Sequence, residues 1–300
     1  MHSTCSDGTL SPEDLAQVVA ASGVSAAALT DHDTMEGSAR YAAALAERGV
    51  EAVPGVEISC LLEETGRSAH LLCYFLEDAD SPLHAALANL RDDRANRNQR
   101  LIDKLAEVGY PISVSTVEAL AGKPLAEAGR PHFAEVIQTA YPEEFSDLQS
   151  VFNELLGDGG KAYVSKAKIS IEEATEMATA SGAVTVLAHP LQTFASARGG
   201  SVYTLDEERE LLERAFSDAA RWGVSGAEAY YGRHRPDQVA MIVELCERHG
   251  LVATGGSDFH GEKTPDVTPG KGVKRNIGTP SEMKVPDTAL AELKARRPVA

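Results

Sequence analysis

The stretches VSAAALTDHD at residues 24–33 and LVATGGSDFH at residues 251–260 follow one pattern. In each, an apolar run of strand-like length is followed by acidic residues and a histidine. Short apolar runs of this kind are typical of buried β-strands, and polar residues after them lie where strands pass into loops. Imidazoles and carboxylates gathered at one rim of an α/β scaffold are the ligands of hydrolytic metal centres. The two stretches therefore predict both an α/β fold and a metal site.

Short apolar runs alternate with longer amphipathic ones on both sides of these stretches. The β-then-α order predicts parallel strands joined by crossover helices. Ser11 before Pro12 is a typical helix start, which places Asp7 in the loop before that helix. We expect strands at 26–30, 51–58, 70–76, 183–188, 224–230 and 251–254, and helices at 12–22, 36–48, 171–181, 206–221 and 236–249.

The alternation stops over residues 81–165, where no strand pattern is visible. This segment predicts successive helices at 82–107, 113–121, 131–140 and 144–156. We expect an inserted helical lobe there, folded over the mouth of the metal site, while residues 1–80 and 166–300 form the metal-binding domain. Residues 261–280 are rich in Gly, Pro and Thr and predict a loop.

Several metal-competent side chains stand in short polar clusters at the ends of apolar runs. A single histidine has many other uses, but clusters repeated along one chain favour a shared site. Imidazole and carboxylate ligands without thiolate suit Zn, Mn or Fe. The candidates are His2, Asp7, His32, Glu57, His70, His189, Asp258 and His260.

These motifs resemble those of the PHP (polymerase and histidinol phosphatase) family of metal-dependent phosphoesterases. The resemblance rests on HSTCSDG at 2–8, TDHD at 30–33, AHP at 188–190 and SDFH at 257–260. Two further segments, GRPH at 129–132 and GGKAYV at 159–164, resemble the stand-alone branch that carries a helical insertion. That branch is associated with removing the 3′-phosphate from nucleoside 3′,5′-bisphosphates and with 5′→3′ trimming of short RNA.

The resemblance implies a distorted seven-stranded (β/α) barrel with two or three divalent metal ions, Mn, Fe or Zn, with Mg also allowed. Glu57 would bridge two of the metals, and Glu57, Asp258 and His189 would act in catalysis. The family opens with Asp-x-His-x-His, so His2 fits the second histidine and we expect the first just before residue 1. The implied groups are His2, Glu57 and Asp258 with that further histidine; Glu57, His70 and His189; and Asp7, His32 and His260.

The resemblance also implies a phosphate clamp made of Arg130, His132 and Lys161. Arg offers a two-pronged donor and Lys a mobile charge, although packing at a helix start is the alternative for His132. Independently of the resemblance, Tyr230, Tyr231, Arg233 and His234 in EAYYGRHRP follow a strand-like run. They would stack on a base or bind a second phosphate, with packing an equal alternative.

Two acidic residues flank His32 in the TDHD motif. Asp31 and Asp33 either orient the imidazole ligands or cap their own loop. From the sequence, the two alternatives have equal weight.

The bulk composition predicts a cytoplasmic enzyme. The formal charge of −17 argues against a general grip on duplex DNA, which requires extended basic surfaces. The sequence has no apolar stretch approaching the ~20 residues of a membrane span and no signal-peptide pattern at its start. Four cysteines without paired spacing predict reduced thiols.

The expected reaction is hydrolysis of a nucleoside 3′,5′-bisphosphate to the 5′-monophosphate, such as AMP, and phosphate, by metal-activated hydroxide attacking phosphorus. Short RNA is a second expected substrate. One alternative is a histidinol-phosphate-type phosphatase or an amidohydrolase-like metallohydrolase, although Glu57 stands where a bridging lysine would be expected. Another is a non-catalytic PHP module. The near-complete ligand set argues against this last alternative, and the absent first histidine argues for it.

Overall fold

Seven strands form one mixed sheet in the computed structural model of the chain. The structure describes residues 1–62, 65–77, 80–157, 159–164, 168–195, 203–261, 283 and 285–298. The strands are β1 (Ala26–Leu29), β2 (Glu51–Leu62), β3 (Arg67–Tyr74), β4 (Ile169–Ser170), β5 (Val184–Leu187), β6 (Gly226–Tyr231) and β7 (Val252–Gly256).

The strand order is β1-β2-β3-β5-β6-β7, and the short β4 pairs with β2. The pairs β1–β2, β5–β6 and β6–β7 are parallel, as expected. The expectation of parallel strands is wrong for β3, which runs antiparallel to both β2 and β5. The physical reason is the length of β2, which extends to Leu62 and leaves too few residues before Arg67 for a crossover helix.

The sheet curls into a half-barrel whose end strands are β1 and β7. Over the described residues, these two strands have no ladder with each other. The mixed α/β class is therefore confirmed, while closure into a full barrel stays a prediction.

Eight of the nine expected helices are confirmed to within two residues at each end. The exception is the one expected at 144–156, where the α-helix is Leu148–Val151 and a π-helix follows at Phe152–Leu156. Ser11 caps the first helix by accepting a hydrogen bond from the Asp14 backbone N–H. Sequence analysis did not foresee the short β4, α8 and α11. The helices are α1 (Pro12–Ala21), α2 (Ser38–Ala46), α3 (Pro82–Glu107), α4 (Val114–Ala121), α5 (Arg130–Ala140), α6 (Leu148–Val151), α7 (Ile171–Ala180), α8 (Pro190–Phe194), α9 (Leu205–Arg221), α10 (Pro236–His249) and α11 (Ala289–Lys294).

The main apolar core lies between the sheet and helices α7, α9 and α10. Ile58 and Leu71 from the sheet are fully buried there with Phe216 of α9 and Ile242 of α10. Full burial of such side chains stabilises the fold by about 1.5–3 kcal/mol each. This packing holds the strands in place and so positions the loops that follow them.

Residues 82–164, hereafter the helical segment, contain a second apolar core. Leu105, Phe133 and Phe145 are fully or almost fully buried in it. Helix α3 contributes to both cores, because Leu83 and Leu90 in its first half pack into the main core. The second core therefore begins within α3 rather than at residue 81. That this segment is a separate inserted domain stays a prediction.

No helix among the described residues is both long and apolar enough to cross a bilayer. The loop expected at 261–280 lies outside the described residues, apart from Gly261.

Candidate metal centre

The eight predicted metal ligands lie together. They come from the loop before α1, from the residues that follow β1, β5 and β7, and from β2 and β3 themselves. Their donor atoms form three groups, and within each group all the donor atoms lie within 4.8 Å of one another. These groups are His2, Asp7, His32 and His260; His32, Glu57 and His70; and His2, Glu57 and Asp258.

Backbone hydrogen bonds fix the first residues against the ends of two strands. The Thr30 N–H, just after β1, donates to the Met1 carbonyl at 2.9 Å, and the His2 N–H donates to the Phe259 carbonyl at 2.9 Å. The Thr9 N–H donates to the His260 carbonyl at 2.8 Å. The loop that carries His2 and Asp7 is therefore held beside the residues that follow β7.

Strained backbone marks the ends of three strands at this centre. Asp33, His189 and Asp258 have φ angles of 56°, 29° and 48°, in the left-handed region that favours glycine. Such conformations cost about 1–3 kcal/mol each and persist only where the surrounding structure imposes them. Each follows a strand of the half-barrel, so the sheet turns its chain sharply where the candidate ligands stand.

Glu57 of β2 lies at the middle of the cluster and is almost completely buried. Its Oε2 lies 2.9 Å from His2 Nε2, and its Oε1 lies 2.9 Å from His70 Nδ1 and 3.2 Å from His189 Nε2. Asp258 Oδ1 is a further 3.3 Å from His2 Nε2. Two groups of donors therefore share the Glu57 carboxylate, which is the arrangement that a bridging ligand requires.

A second carboxylate, Asp7, faces the other side of the cluster. Its Oδ1 lies 3.3 Å from His260 Nε2, and its Oδ2 lies 3.8 Å from His32 Nε2. The His2 ring stacks on the His260 ring with centroids 4.0 Å apart. His2 therefore lies between the Glu57 side and the Asp7 side.

Buried ring nitrogens in this cluster lack aligned hydrogen-bond partners. Among the described atoms, both nitrogens of His2 and Nδ1 of His32 are buried without one, although His2 Nε2 is only 2.9 Å from Glu57 Oε2. Buried polar atoms are nearly always satisfied, so each exception requires an explanation. Donor atoms that approach each other without hydrogen-bond geometry fit ligation of a common ion. The residues thus fit divalent metals with imidazole and carboxylate ligands.

The carboxyl groups of the cluster have depressed pKa values. Burial raises the pKa of Glu57, but the surrounding imidazoles of His32, His70, His189 and His2 outweigh burial and hold that pKa well below its usual range. Burial also raises the pKa of Asp7, but His260 and His32 lower it by more, so this pKa too lies well below its usual range. Both carboxyl groups are therefore ionised at neutral pH, the form that a cation binds.

The pKa values of the buried histidines shift in opposite directions. Burial lowers the pKa of His2, but the adjacent carboxylates of Asp258 and Glu57 outweigh burial and raise the pKa to about 10. The same balance with Glu57 raises the pKa of His189 to about 9. For His32 burial dominates, and its pKa falls well below 6.5. Without metal, the cluster thus retains protons that compete with cations.

Asp31 and Asp33 accept hydrogen bonds from segments that lie beside the candidate ligands. Asp31 accepts hydrogen bonds of 2.6 Å from the Ser3 N–H, the Ser3 hydroxyl and the Ser6 hydroxyl. Asp33 accepts bonds of 2.7 Å from the N–H and hydroxyl of Ser59. These contacts are with other segments rather than with the loop that carries Asp31 and Asp33, and they fix the residues beside His2 and Glu57.

The helical segment touches the cluster at the start of α5. A Cβ at Gly129 would lie 3.1 Å from Asp7 Cβ, so the helix start packs directly on this residue. His132 Nδ1 accepts a hydrogen bond from the Gly129 N–H at 2.9 Å. Burial lowers the pKa of His132. Its ring is therefore neutral, with the proton on Nε2.

The other members of the expected phosphate clamp are held elsewhere. The Arg130 guanidinium lies 4.9 Å from the centroid of the Tyr163 ring and donates to the Val164 carbonyl at 3.4 Å. Lys161 is exposed. No described contact ties either side chain to the metal donors, so their role stays a prediction.

Sequence analysis missed a different basic residue, Lys123. Its ammonium donates to the Ser6 carbonyl and, at 3.4 Å, to the Thr4 carbonyl, in the loop that carries Asp7. A lysine in a turn between helices gives no sequence signal for such a contact, because its partner is 117 residues away.

Of the two adjacent candidate tyrosines, Tyr231 reaches the cluster. The Tyr231 hydroxyl donates to Asp258 Oδ2 at 3.0 Å, and its ring centroid lies 6.1 Å from that of His189. Tyr230 instead packs against the main core, which is the packing alternative. The pairing of β6 with β7 shifts by one residue between Glu228 and Tyr230, which changes the side on which the following side chains lie.

His234 lies beside Tyr231, with ring centroids 5.0 Å apart. Its Nδ1 donates to the Ala229 carbonyl at 3.0 Å, since a carbonyl can only accept. Burial lowers its pKa to about 4. The ring is therefore neutral at pH 7, which disfavours the expected contact with a second phosphate.

Comparison with protein families gives a match to the PHP domain over residues 1–180. The chain belongs to the PHP family. Its relatives include a 3′,5′-nucleoside bisphosphate phosphatase of Chromobacterium violaceum, 32% identical over 269 residues that span 89% of this chain and 88% of that protein. A 5′-3′ exoribonuclease of Haemophilus influenzae is 31% identical, over 86% of this PHP chain and 88% of the relative.

A solved structure from Bifidobacterium adolescentis, described as a metal-dependent phosphoesterase, superposes on this PHP protein with a TM-score of 0.75. It is 25% identical, and the match covers 100% of this chain and 95% of that one. Family, relatives and fold agree that this PHP protein is an enzyme, a metal-dependent phosphoesterase of the hydrolase class.

Proposed function

We propose that this PHP enzyme hydrolyses the 3′-phosphomonoester of a nucleoside 3′,5′-bisphosphate, and that 5′→3′ trimming of short RNA is a related activity. One observation carries the proposal: ionised carboxylates and imidazoles converge around Glu57, with the start of α5 directly beside Asp7. The names of the relatives from C. violaceum and H. influenzae support this substrate class. A cytoplasmic location fits such substrates and is part of the proposal.

The metal ligands in this proposal are the eight converging side chains. Glu57 would be shared between two ions, with His2 and Asp258 on one side and His70 and His189 on the other. Asp7, His32 and His260 would hold a third. Bound divalent ions lower the pKa of water and neutralise charge that develops on phosphoryl oxygens.

The protein's own groups fix the orientation of the substrate. Because His132 Nδ1 is occupied by the Gly129 N–H, its Nε2–H is left to donate to a phosphoryl oxygen beside Asp7. The start of a helix also favours negative charge, and α5 begins at this point. In the reaction, a bond forms between a water oxygen and phosphorus and the bond from phosphorus to the 3′ oxygen breaks. The products are a nucleoside 5′-monophosphate and phosphate.

Because the chain has a negative net charge, an anionic substrate must be held by local contacts at the site. With a net charge of −17, attraction for a polyanion depends on the few cations near the site. Lys123 is held beside the Asp7 loop, and Arg91 of α3 lies 3.4 Å from Thr34 Oγ1, just after the His32 motif. Two nearby cations suit a bisphosphate or the end of a short RNA better than a long duplex.

The test uses protein loaded with Mn, Zn or Fe and measures phosphate release from three phosphomonoesters: adenosine 3′,5′-bisphosphate, adenosine 5′-monophosphate and histidinol phosphate. Release of mononucleotides is measured separately on a 5′-phosphorylated RNA of about five nucleotides, because cleavage of a phosphodiester leaves the phosphate on a nucleotide. We expect the bisphosphate to react faster than the 5′-monophosphate, and a chelator to abolish both reactions. Equal or zero rates on these two nucleotides with every metal would reject the proposal, and a preference for histidinol phosphate would favour the alternative.

A further inference from the structure

Glu228 is a buried carboxylate next to the metal donors that has no part in the reaction described above. It belongs to β6, and only 4% of its surface is exposed. It stands at the irregularity of the sheet, where Glu228 pairs with Thr254 but Tyr230 pairs with Gly255. Such bulges redirect side chains and are frequent beside active sites.

The Glu228 carboxylate accepts a hydrogen bond from the backbone of a candidate ligand. The His189 N–H donates to its Oε2 at 2.7 Å. His189 lies between the end of β5 and the start of α8 and has φ 29° and ψ 62°. A residue turned out of its strand in this way has an N–H that the sheet no longer satisfies, so the carboxylate provides the missing acceptor.

Gly256 of β7 leaves the space that this carboxylate occupies. A Cβ built on Gly256 would collide with Glu228 Oε1, far inside the contact distance of non-bonded atoms. Two residues further along the chain stands Asp258, another candidate ligand with a positive φ. One carboxylate thus packs between the strand end that carries His189 and the strand end that carries Asp258.

The His189 imidazole is then held at two points. Its backbone is anchored by Glu228, and its Nδ1 lies 3.4 Å from Thr193 Oγ1 of α8. Its Nε2 is directed toward Glu57 Oε1 at 3.2 Å and His70 Nδ1 at 3.3 Å. A ring fixed at its backbone and at one nitrogen presents the other nitrogen in a single direction.

We propose that Glu228 is a positioning residue, which sets the direction of His189 Nε2 through the His189 backbone N–H, and that Gly256 is required because it leaves room for this carboxylate. The inference rests on the proposed function, in which His189 is a metal ligand. Groups that orient a metal ligand in this way typically affect metal affinity or activity by about 10–100-fold.

The first test compares Glu228→Gln with Glu228→Met. The Gln side chain retains an oxygen that accepts from the His189 N–H, whereas Met has a similar size without a strong acceptor. We expect Glu228→Met to lose about 10–100-fold in metal affinity, measured by competition with a chelator, and in kcat on p-nitrophenyl phosphate. Glu228→Gln should retain metal affinity and kcat within about threefold, since the hydrogen bond rather than the charge is proposed to act.

The second test leaves Glu228 in place and changes Gly256. Gly256→Ala should reproduce the loss seen with Glu228→Met, because its Cβ displaces the carboxylate. Gly232→Ala is the matched control, since nothing lies within 4 Å of a Cβ there. The double variant Glu228→Met/Gly256→Ala should lose little more than either single variant, since both break one contact.

Unfolding of the metal-free proteins separates positioning from a failure to fold. A variant that melts near the wild-type temperature but binds metal weakly supports the proposal. The inference is overturned if Glu228→Met retains wild-type metal affinity, or if Glu228→Gln loses as much as Glu228→Met. If the wild-type protein itself binds no divalent metal, the proposed function has failed. If the wild-type protein binds metal and all the variants bind equally well, only the positioning role has failed.

Discussion

The sheet side and the helical-segment side of the candidate centre are built differently. On the sheet side, Glu57 is buried and lies 2.9 Å from each of two histidines, and three strand ends adopt strained backbone to present their ligands. On the other side, the helical segment approaches through Gly129, His132 and Lys123. Under the proposed function, the difference teaches that catalysis would depend on the strand ends, whereas substrate selection would depend on the start of α5 and Lys123, which can change without altering the metal ligands.

Glu57→Gln should have the largest effect, because it removes the charge that two donor groups share. We expect kcat for phosphate release to fall roughly 1,000-fold or more, about 4 kcal/mol in the barrier. Elemental analysis of the purified variant should show less bound metal. Glu247→Gln, an exposed site on α10, is the control. Full activity of Glu57→Gln would mean that the sheet side is not the metal site.

The pH dependence of stability tests whether His234, on the sheet side, is shielded from water. The pKa of His234 is about 4 in the folded protein against 6.5 in the reference state, so between these values the unfolded chain binds more protons. The contribution of His234 to the free energy of unfolding should therefore be fully present above pH 6.5 and fall by on the order of 3 kcal/mol as pH decreases toward 4. Urea unfolding of metal-free protein measures this change.

His234→Asn is the matched variant for that measurement. Its amide still donates to the Ala229 carbonyl but does not titrate, so the fall between pH 6.5 and 4 should be smaller than in the wild-type protein. Equal pH profiles for the two proteins would show that His234 is hydrated rather than buried.

On the helical-segment side, His132→Ala should weaken substrate binding without removing metal. We expect kcat/KM for the bisphosphate to fall about 10–100-fold, or 1.4–2.7 kcal/mol, through loss of a hydrogen bond to a charged group. The bound metal content should equal that of the wild-type protein. A loss of metal in this variant would contradict the division between the two sides.

Two adjacent tyrosines provide the smallest and most local test. Tyr231→Phe removes the hydrogen bond to Asp258 and should lower kcat by about fivefold, or 1 kcal/mol. Tyr230→Phe should change kcat less than twofold, because Tyr230 packs against the main core. Steady-state kinetics on the bisphosphate compares the two variants. The reverse order of effects would mean that β6 has the other register.

The sequence allowed prediction of the elements and of a cluster, since both leave periodic or local signals. The positions of the main helices and the grouping of acidic residues with histidines after apolar runs were visible without coordinates. The direction of β3 could not be predicted, because it depends on how far β2 continues beyond residue 58. The sequence also could not show which of Tyr230 and Tyr231 faces the cluster, because a one-residue irregularity in strand pairing has no signature in residue type.

Contacts between segments that are far apart in the sequence could not be predicted either. The bond from Lys123 to the Asp7 loop and the packing of Glu228 against Gly256 join residues that share no local pattern. A glycine in a strand indicates a close approach but not the partner. Such contacts arise from the curvature of the sheet and the path of the helical segment, which only a three-dimensional arrangement specifies.

Helix α3 links the two apolar cores as a continuous rod. From Leu90, in one core, to Leu101, in the other, the helix rises by roughly 16 Å. Because each half is embedded in a different interior, the two cannot swivel independently while the rod stays straight. Any movement of one core relative to the other must therefore bend α3 or shift the shorter elements beyond it.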